Sequence, residues 1–365
     1  MRRERGFTLI ELLVSLALAG LVCAGAFQMH VAFNRQSQRQ QQVAEIQQTL
    51  RVAMQLIERA IRSAGEGLPS THIFPGMGPG CTPVNYYGFQ FSNDNTYTDP
   101  KTTFWSVGTA DGDPDWFRVV ASDSLGDQGV TLWSSGAVFT SVIAPQSQTW
   151  NSNDLFMVLD SCAGCVGQVR EVTTGFSGNA TSASPGQVKH QKGTSCYNPA
   201  PGNCPACDKC LGNFGCAQPG APIRHFSGGS TVYRIMTSAD QGDATGLISP
   251  KLTMRTAPFG TAFNDTTYRW VPLADNIEDM QIAVILLDGT VCSNNDNPAT
   301  CNFANAAAVR VTLVGRSAQP LQGVPASPVG GYEDETASTP ASTSVQAYYL
   351  RRAMTATIEL RNYMP

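Results

Sequence analysis

The stretch "RERGFTLIELLVSLALAGLVCAGAF", Arg3 to Phe27, decides how the rest of the chain is read. A basic start turns abruptly apolar at Gly6-Phe7, and one glutamate, Glu11, stands inside the oily run. Between Glu11 and Arg35 no side chain is charged, and Leu, Val, Ala and Gly dominate. That interval is long enough for a bilayer-spanning helix, since about 20 residues at roughly 1.5 Å each cover roughly 30 Å of hydrocarbon. Arg2, Arg3 and Arg5 ahead of it predict an N-terminus in the cytoplasm and the remainder outside. Ala24-Gly25-Ala26 has the small residues of a signal-peptide cut, but a cleavable signal leaves Glu11 without a role. An ionisable group near the hydrocarbon edge is costly and normally has a partner. A cut between Gly6 and Phe7 would free an α-amine able to pair with Glu11 of a neighbouring subunit.

With 365 residues the chain can bury a sizeable core, or one core with insertions. Charged residues make up only 14%, while 34 glycines and 22 prolines point to turns and strands. A formal net charge of −4 provides no cationic field, so nucleic-acid binding through a strongly basic face is not expected.

Past the anchor, Val43, Ile46, Leu50, Met54, Ile57 and Ile61 recur at steps of three and four and share one helical face. Gly65-Glu66-Gly67-Leu68-Pro69 is the expected stop, so one helix is predicted from Phe7 to Ala64. The predicted organisation is a leader over 1–6, a membrane-embedded helical half over 7–33, an amphipathic half over 34–68 and a β-rich head over 69–365. Strands are predicted at Trp116–Ser122, Leu155–Asp160, Gln168–Thr173, Thr231–Thr237, Lys251–Thr256, Met280–Leu287, Ala307–Gly315 and Ala353–Leu360. Ser70–Asp115, Gly175–Gly220 and Ala318–Ser344 read as loops. The fold class is α+β.

Of eleven cysteines, Cys23 lies in the apolar helix. The other ten are Cys81, Cys162, Cys165, Cys196, Cys204, Cys207, Cys210, Cys216, Cys292 and Cys301, an even set suited to a disulfide framework in an exported chain. Most fall in about 161–220, a cysteine-rich loop insertion. The CxxC units there also have zinc-like spacing, and the run has a faint likeness to a ferredoxin loop with too long a last interval. An oxidising compartment favours disulfides over either, and no cofactor is expected. Asp111, Asp113 and Asp115 alternate as calcium ligands can, but Pro114 and the missing distal Glu favour a turn leading into the Trp116 strand. Four histidines, His30, His72, His190 and His225, occur without a Gly-x-Ser-x-Gly elbow, P-loop or His-Glu-x-x-His motif, so no catalysis is expected.

Gly6-Phe7-Thr8-Leu9-Ile10-Glu11 resembles the prepilin motif of type IV pilins and type II secretion pseudopilins: a basic leader, Gly at the cut, an N-methylated Phe, and Glu at the fifth mature position. "RVAMQLIERAIRSAG" (Arg51–Gly65), "VPLADNIEDMQIAVILLDG" (Val271–Gly289), "AAAVRVTLVGRS" (Ala306–Ser317) and "YYLRRAMTATIELRN" (Tyr348–Asn362) resemble PilW-like minor pilins. The resemblance implies a type IV pilin fold, a long helix packed on an antiparallel sheet. It implies prepilin peptidase cleavage at Gly6-Phe7, N-methylation of Phe7, and a filament-assembly role for Glu11. It suggests a C-terminal disulfide loop closed by Cys292 and Cys301.

The implied partners are other minor pilins, the major pilin, a large tip adhesin and the inner-membrane assembly platform. The implied location is the inner membrane, then the extracellular pilus tip. The implied function is to prime pilus assembly and help carry an adhesin in motility and adhesion. No proline precedes Pro69, which suits a minor pilin and equally a type II secretion pseudopilin. A ligand- or DNA-binding tip pilin is a further alternative.

Overall fold

The computed structural model describes residues 9–65, 88–92, 114–120, 131–135, 139–144, 150–152, 154–158, 169–177, 185–189, 219–221, 223–226, 230–238, 240–242, 248–257, 267–292, 305–321 and 348–360. A single helix, α1 (Leu9–Ser63), precedes all strands. In chain order these are β1 (Phe89–Ser92), β2 (Trp116–Val119), β3 (Thr131–Ser135), β4 (Phe139–Ile143), β5 (Leu155–Val158), β6 (Val169–Glu171), β7 (Thr174–Ser177) and β8 (Gly186–Lys189). There follow β9 (Ile223–Phe226), β10 (Ser230–Met236), β11 (Lys251–Ala257), β12 (Val271–Asp275), β13 (Ile277–Leu286), β14 (Val291–Cys292), β15 (Ala306–Arg316) and β16 (Arg351–Glu359).

The apolar spacing read from the sequence is the face that docks. Ile46, Leu50, Met54, Ile57 and Ile61 of α1 are buried, with Ala53, Ala60 and Ala64 beside them. Below them lies a sheet ordered β14-β13-β15-β16, whose pairs are antiparallel. Its register aligns Met280, Leu313 and Met354 in one row, Ile282, Val311 and Ala356 in the next, and Val284, Val309 and Ile358 in a third. Because side chains alternate along a strand, all three rows face the same side, and they join α1 in one core. Gly315 lets the helix come close, since a Cβ there would stand 3.1 Å from Ile46 Cγ2 and 3.2 Å from Leu50 Cγ.

A second sheet, β1-β2-β10-β11-β12, extends the same core with Phe89, Phe91, Phe117, Val119, Ile235 and Leu252. Phe117 stacks on Tyr233 at 4.8 Å between ring centroids. The helix ends against this sheet. Gly65 adopts φ 75, the left-handed conformation that glycine takes without steric cost, and its N–H donates to Val120 O at 2.8 Å. Gly88 passes so near that an added Cβ would lie 2.2 Å from Gly65 Cα.

The two sheets are one ribbon at a single bend. Between β12 and β13, Asn276 takes φ 62; its N–H donates to Ser249 Oγ (3.0 Å), and its carbonyl accepts from Arg316 N–H (2.9 Å). A second link comes from Asp115, just ahead of β2. Its N–H donates to Met280 O, and its carboxylate Oδ2 accepts from Ile282 N–H, both at 2.7 Å. This satisfies the edge of β13 on the side away from β15.

A smaller region holds the sheets β3-β4-β8-β7 and β6-β5-β9 around Val142, Trp150, Phe156, Val172, Val188 and Ile223. Its strands correct two loop readings. The stretch Gly175–Gly220 contains β8 and most of β7, and Ser70–Asp115 contains β1. The insertion over 161–220 is therefore not loop throughout: β6, β7 and β8 lie in it, paired with β5, β4 and one another. Four-residue strands such as TGFS and GQVK have too little periodicity to be seen without their neighbours. β3, β4, β9, β12 and β14, of two to five residues, were missed as well. All eight predicted strands are present, with shifted ends.

Candidate functional site

The most distinctive surface is the free half of α1. Leu9, Ile10, Leu12, Leu13, Leu16, Leu18, Leu21, Val22, Phe27, Met29 and Phe33 are all exposed, and the most apolar window of the helix buries nothing. This half is long and apolar enough to cross a membrane and projects clear of the head. Glu11 lies in its first turn, where a carboxylate complements the positive end of the helix dipole, and it is engaged in a further interaction. Gly6 and Phe7 also lie outside them. Cys23 is exposed with a free thiol, and His30 Nε2 lies 3.1 Å from Asn34 Nδ2.

Where the head meets the free half, charged groups pin the sheet. The Arg351 guanidinium grips Glu278 with two bonds, Nε to Oε2 at 2.6 Å and Nη2 to Oε1 at 3.0 Å. Arg316 adds a third charge, Nη1 at 3.9 Å from Glu278 Oε1; it donates to Ile248 O and lies over the Tyr349 ring at 4.3 Å. Fork-to-fork pairing of this kind fixes geometry as well as charge. The tandem arginines at 351–352 were visible in the sequence, but Glu278 is 73 residues away and nothing local pointed to it.

A second charged cluster was missed. Arg118 and Arg255 both lie opposite Val232 in register, and the guanidinium groups of Arg234 and Arg255 both lie over the Trp270 ring, at 4.7 and 4.6 Å. Burial holds the Arg234 guanidinium below its usual value, partly opposed by Asp240 and reinforced by Arg255. These arginines are engaged in further interactions. Alternating Arg in otherwise apolar strands was the available signal.

The predicted ligand sets scatter. Asp115 is buried and spent on the β13 backbone, which supports the turn rather than calcium; Asp111 and Asp113 lie outside the described residues. Cys292 is buried in β14 and disulfide-bonded, while Cys81, Cys162, Cys165, Cys196, Cys204, Cys207, Cys210, Cys216 and Cys301 lie outside the described residues. His72 and His190 do too. His225 is buried, with Nε2 2.9 Å from Asp154 Oδ2 and its ring 4.3 Å from Trp150. Asp154 also accepts from Asn151 N–H at 2.7 Å. Sealed from solvent, this pair knits β5 to β9. Among the described residues no group of three or more His, Cys, Asp or Glu is arranged to hold a metal.

A long helix with an exposed apolar half and a half docked on antiparallel sheets is the architecture of a pilin-like subunit. Residues 1–27 match the prokaryotic N-terminal methylation motif, and residues 232–362 match Type IV Pilus-assembly protein W. The two matches show that the chain is similar to PilW-like type IV pilins at both of its ends. No curated protein matches it. Among solved structures, a type IV-like pilin from Thermus thermophilus shares 14% identity, with a TM-score of 0.21, over 37% of this chain and 68% of that one. The PilW match spans the strands from β10 to β16, including the bend at Asn276 and the Glu278–Arg351 clasp.

Proposed function

We propose that the protein is a minor pilin of a type IV pilus, inserted in the inner membrane with its head in the periplasm and then carried to the pilus tip. The observation that carries this reading is α1 itself: one unbroken helix whose first half is exposed and largely apolar and whose second half docks on the head through one face. Prepilin peptidase cuts after Gly6, Phe7 is N-methylated, and Glu11 neutralises the α-amine of a neighbouring subunit in the filament core. A bulky head suits the tip better than a repeating shaft. There, with other minor pilins, the subunit helps prime assembly and supports an adhesin. Cys292 and Cys301 close a C-terminal loop, and the remaining head cysteines form further disulfides.

Mass spectrometry of sheared surface filaments tests the reading. A peptide beginning at methylated Phe7 in that fraction is the expected result. The same peptide found only in the cell envelope favours the pseudopilin of a type II secretion system. An uncut Met1 or a cut near Ala26 overturns the pilin assignment.

A further inference from the structure

The last strand, β16, is the outer strand of its sheet, and among the described residues nothing pairs with its free edge. The ladder to β15 fixes which groups point outward. Ser317 N–H donates to Leu350 O and Leu360 N–H to Ala307 O, both in the register of the β15–β16 pair. Even-numbered residues of β16 therefore exchange bonds with β15, as alternate residues do in an antiparallel pair. The backbone N–H and C=O groups of Ala353, Thr355, Thr357 and Glu359 face away from the sheet. Their side chains are exposed, whereas Met354, Ala356 and Ile358 face the α1 core.

Other outer strands are protected in ways β16 is not. β1 has 4 residues, β6 3, β9 4 and β14 2; β12 carries Pro272 and a register shift; β3 and β7 are irregular in register. β16 runs for 9 residues in unbroken register, without Pro, Gly or Lys, and with charges only near its ends. An open edge of that length and regularity is a template for another strand unless something covers it.

We infer that the outer edge of β16 receives an extended segment of a different protein as an added strand. A second copy offering the same edge is ruled out by symmetry. Two identical edges close a symmetric pair only antiparallel, about a two-fold axis perpendicular to the sheet, and that rotation reverses every direction in the sheet plane. Since α1 lies across the face of the sheet, the two apolar halves would leave in opposite directions and both could not enter one bilayer. This exclusion rests on the membrane reading of α1; the open edge does not. The donated segment lacks proline wherever its N–H faces β16, and it sets small or β-branched side chains beside Ala353, Thr355 and Thr357.

The test uses the full chain in its own membranes, with p-benzoylphenylalanine placed at Ala353 or at Thr357. Both positions should cross-link one segment of one other protein, at sites about four residues apart, as a strand ladder requires. Thr357→Pro removes an outward N–H and no β15 bond, and should cut the cross-link from position 353 at least tenfold; Thr357→Val should keep it. Cross-links to a second copy, sites with no common register, or a yield indifferent to Thr357→Pro would overturn the inference. Hydrogen exchange of the unmodified chain serves if the proline variant does not fold. The Thr355 and Thr357 amides should exchange at least tenfold more slowly in the membrane assembly than in the purified chain, and equal rates would overturn it.

Discussion

The two halves of α1 share a backbone, a helix type and an abundance of apolar side chains, yet they face opposite surroundings. From Leu9 to Phe33 nearly all the large apolar residues, on every side of the helix, are exposed; from Ile46 to Ala64 most form one stripe and are buried, with only Val52 and Leu56 left exposed. What differs is arrangement. A helix apolar on every side has no polar face to give to water, whereas a stripe needs only one partner. The same contrast separates a surface that works between molecules from one that works within the molecule.

The largest effect should come from emptying the stripe. Leu50→Ala removes a buried side chain that packs beside Gly315 and should cost the head about 2–5 kcal/mol, while Leu16→Ala in the free half should leave its denaturation midpoint unchanged. Equal losses from both would erase the distinction between the halves. Next comes the point where the docked half ends. Gly88→Ala drives a methyl into the Gly65 backbone, which cannot step aside as a side chain does, and should destabilise by about 3 kcal/mol on thermal unfolding.

A smaller loss is expected at the bend beneath the helix. Asn276→Ala forces alanine into a left-handed backbone and removes the side-chain acceptor of Ser249 Oγ, at about 1–2 kcal/mol; Asn276→Gly should recover the backbone share. The smallest is a pH effect. Burial raises the Tyr233 phenol above its ordinary 10.0, against a weaker lowering by Arg59 on the docked half of α1. A raised value means that the native state holds the proton more tightly. The contribution is complete below the unfolded value and is lost as pH climbs through the native one. Alkaline titration of stability should show this component in the parent and not in Tyr233→Phe.

Much of the fold was legible because its signals are local. The apolar run at Leu9–Phe33, the steps from Val43 to Ile61 and the glycine at position 65 each lie within a few residues of the structure they dictate. The strands of β13 and β15 were equally plain, being 10 and 11 residues of mostly buried, strand-forming side chains. What escaped depends on partners far along the chain. Nothing near Arg351 pointed to Glu278, and nothing near His225 to Asp154 and Trp150. Asp115 was weighed as a cation ligand because alternating carboxylates are a local pattern; its use as a backbone acceptor for Ile282 is not.

The Asp115–Ile282 bond joins positions separated by 167 residues, and the apolar stripe of α1 is made long before β13, β15 and β16 exist to cover it. Such closures cannot begin until the last strands have emerged, which makes the head a slow folder by topology. Until those strands close on it, the chain carries an uncovered oily stripe directly beside the exposed apolar run at Leu9–Phe33. Two oily surfaces on one helix are then open at once, and the time taken to make the last strands, rather than the stability of the finished head, sets how long neighbouring copies can stick.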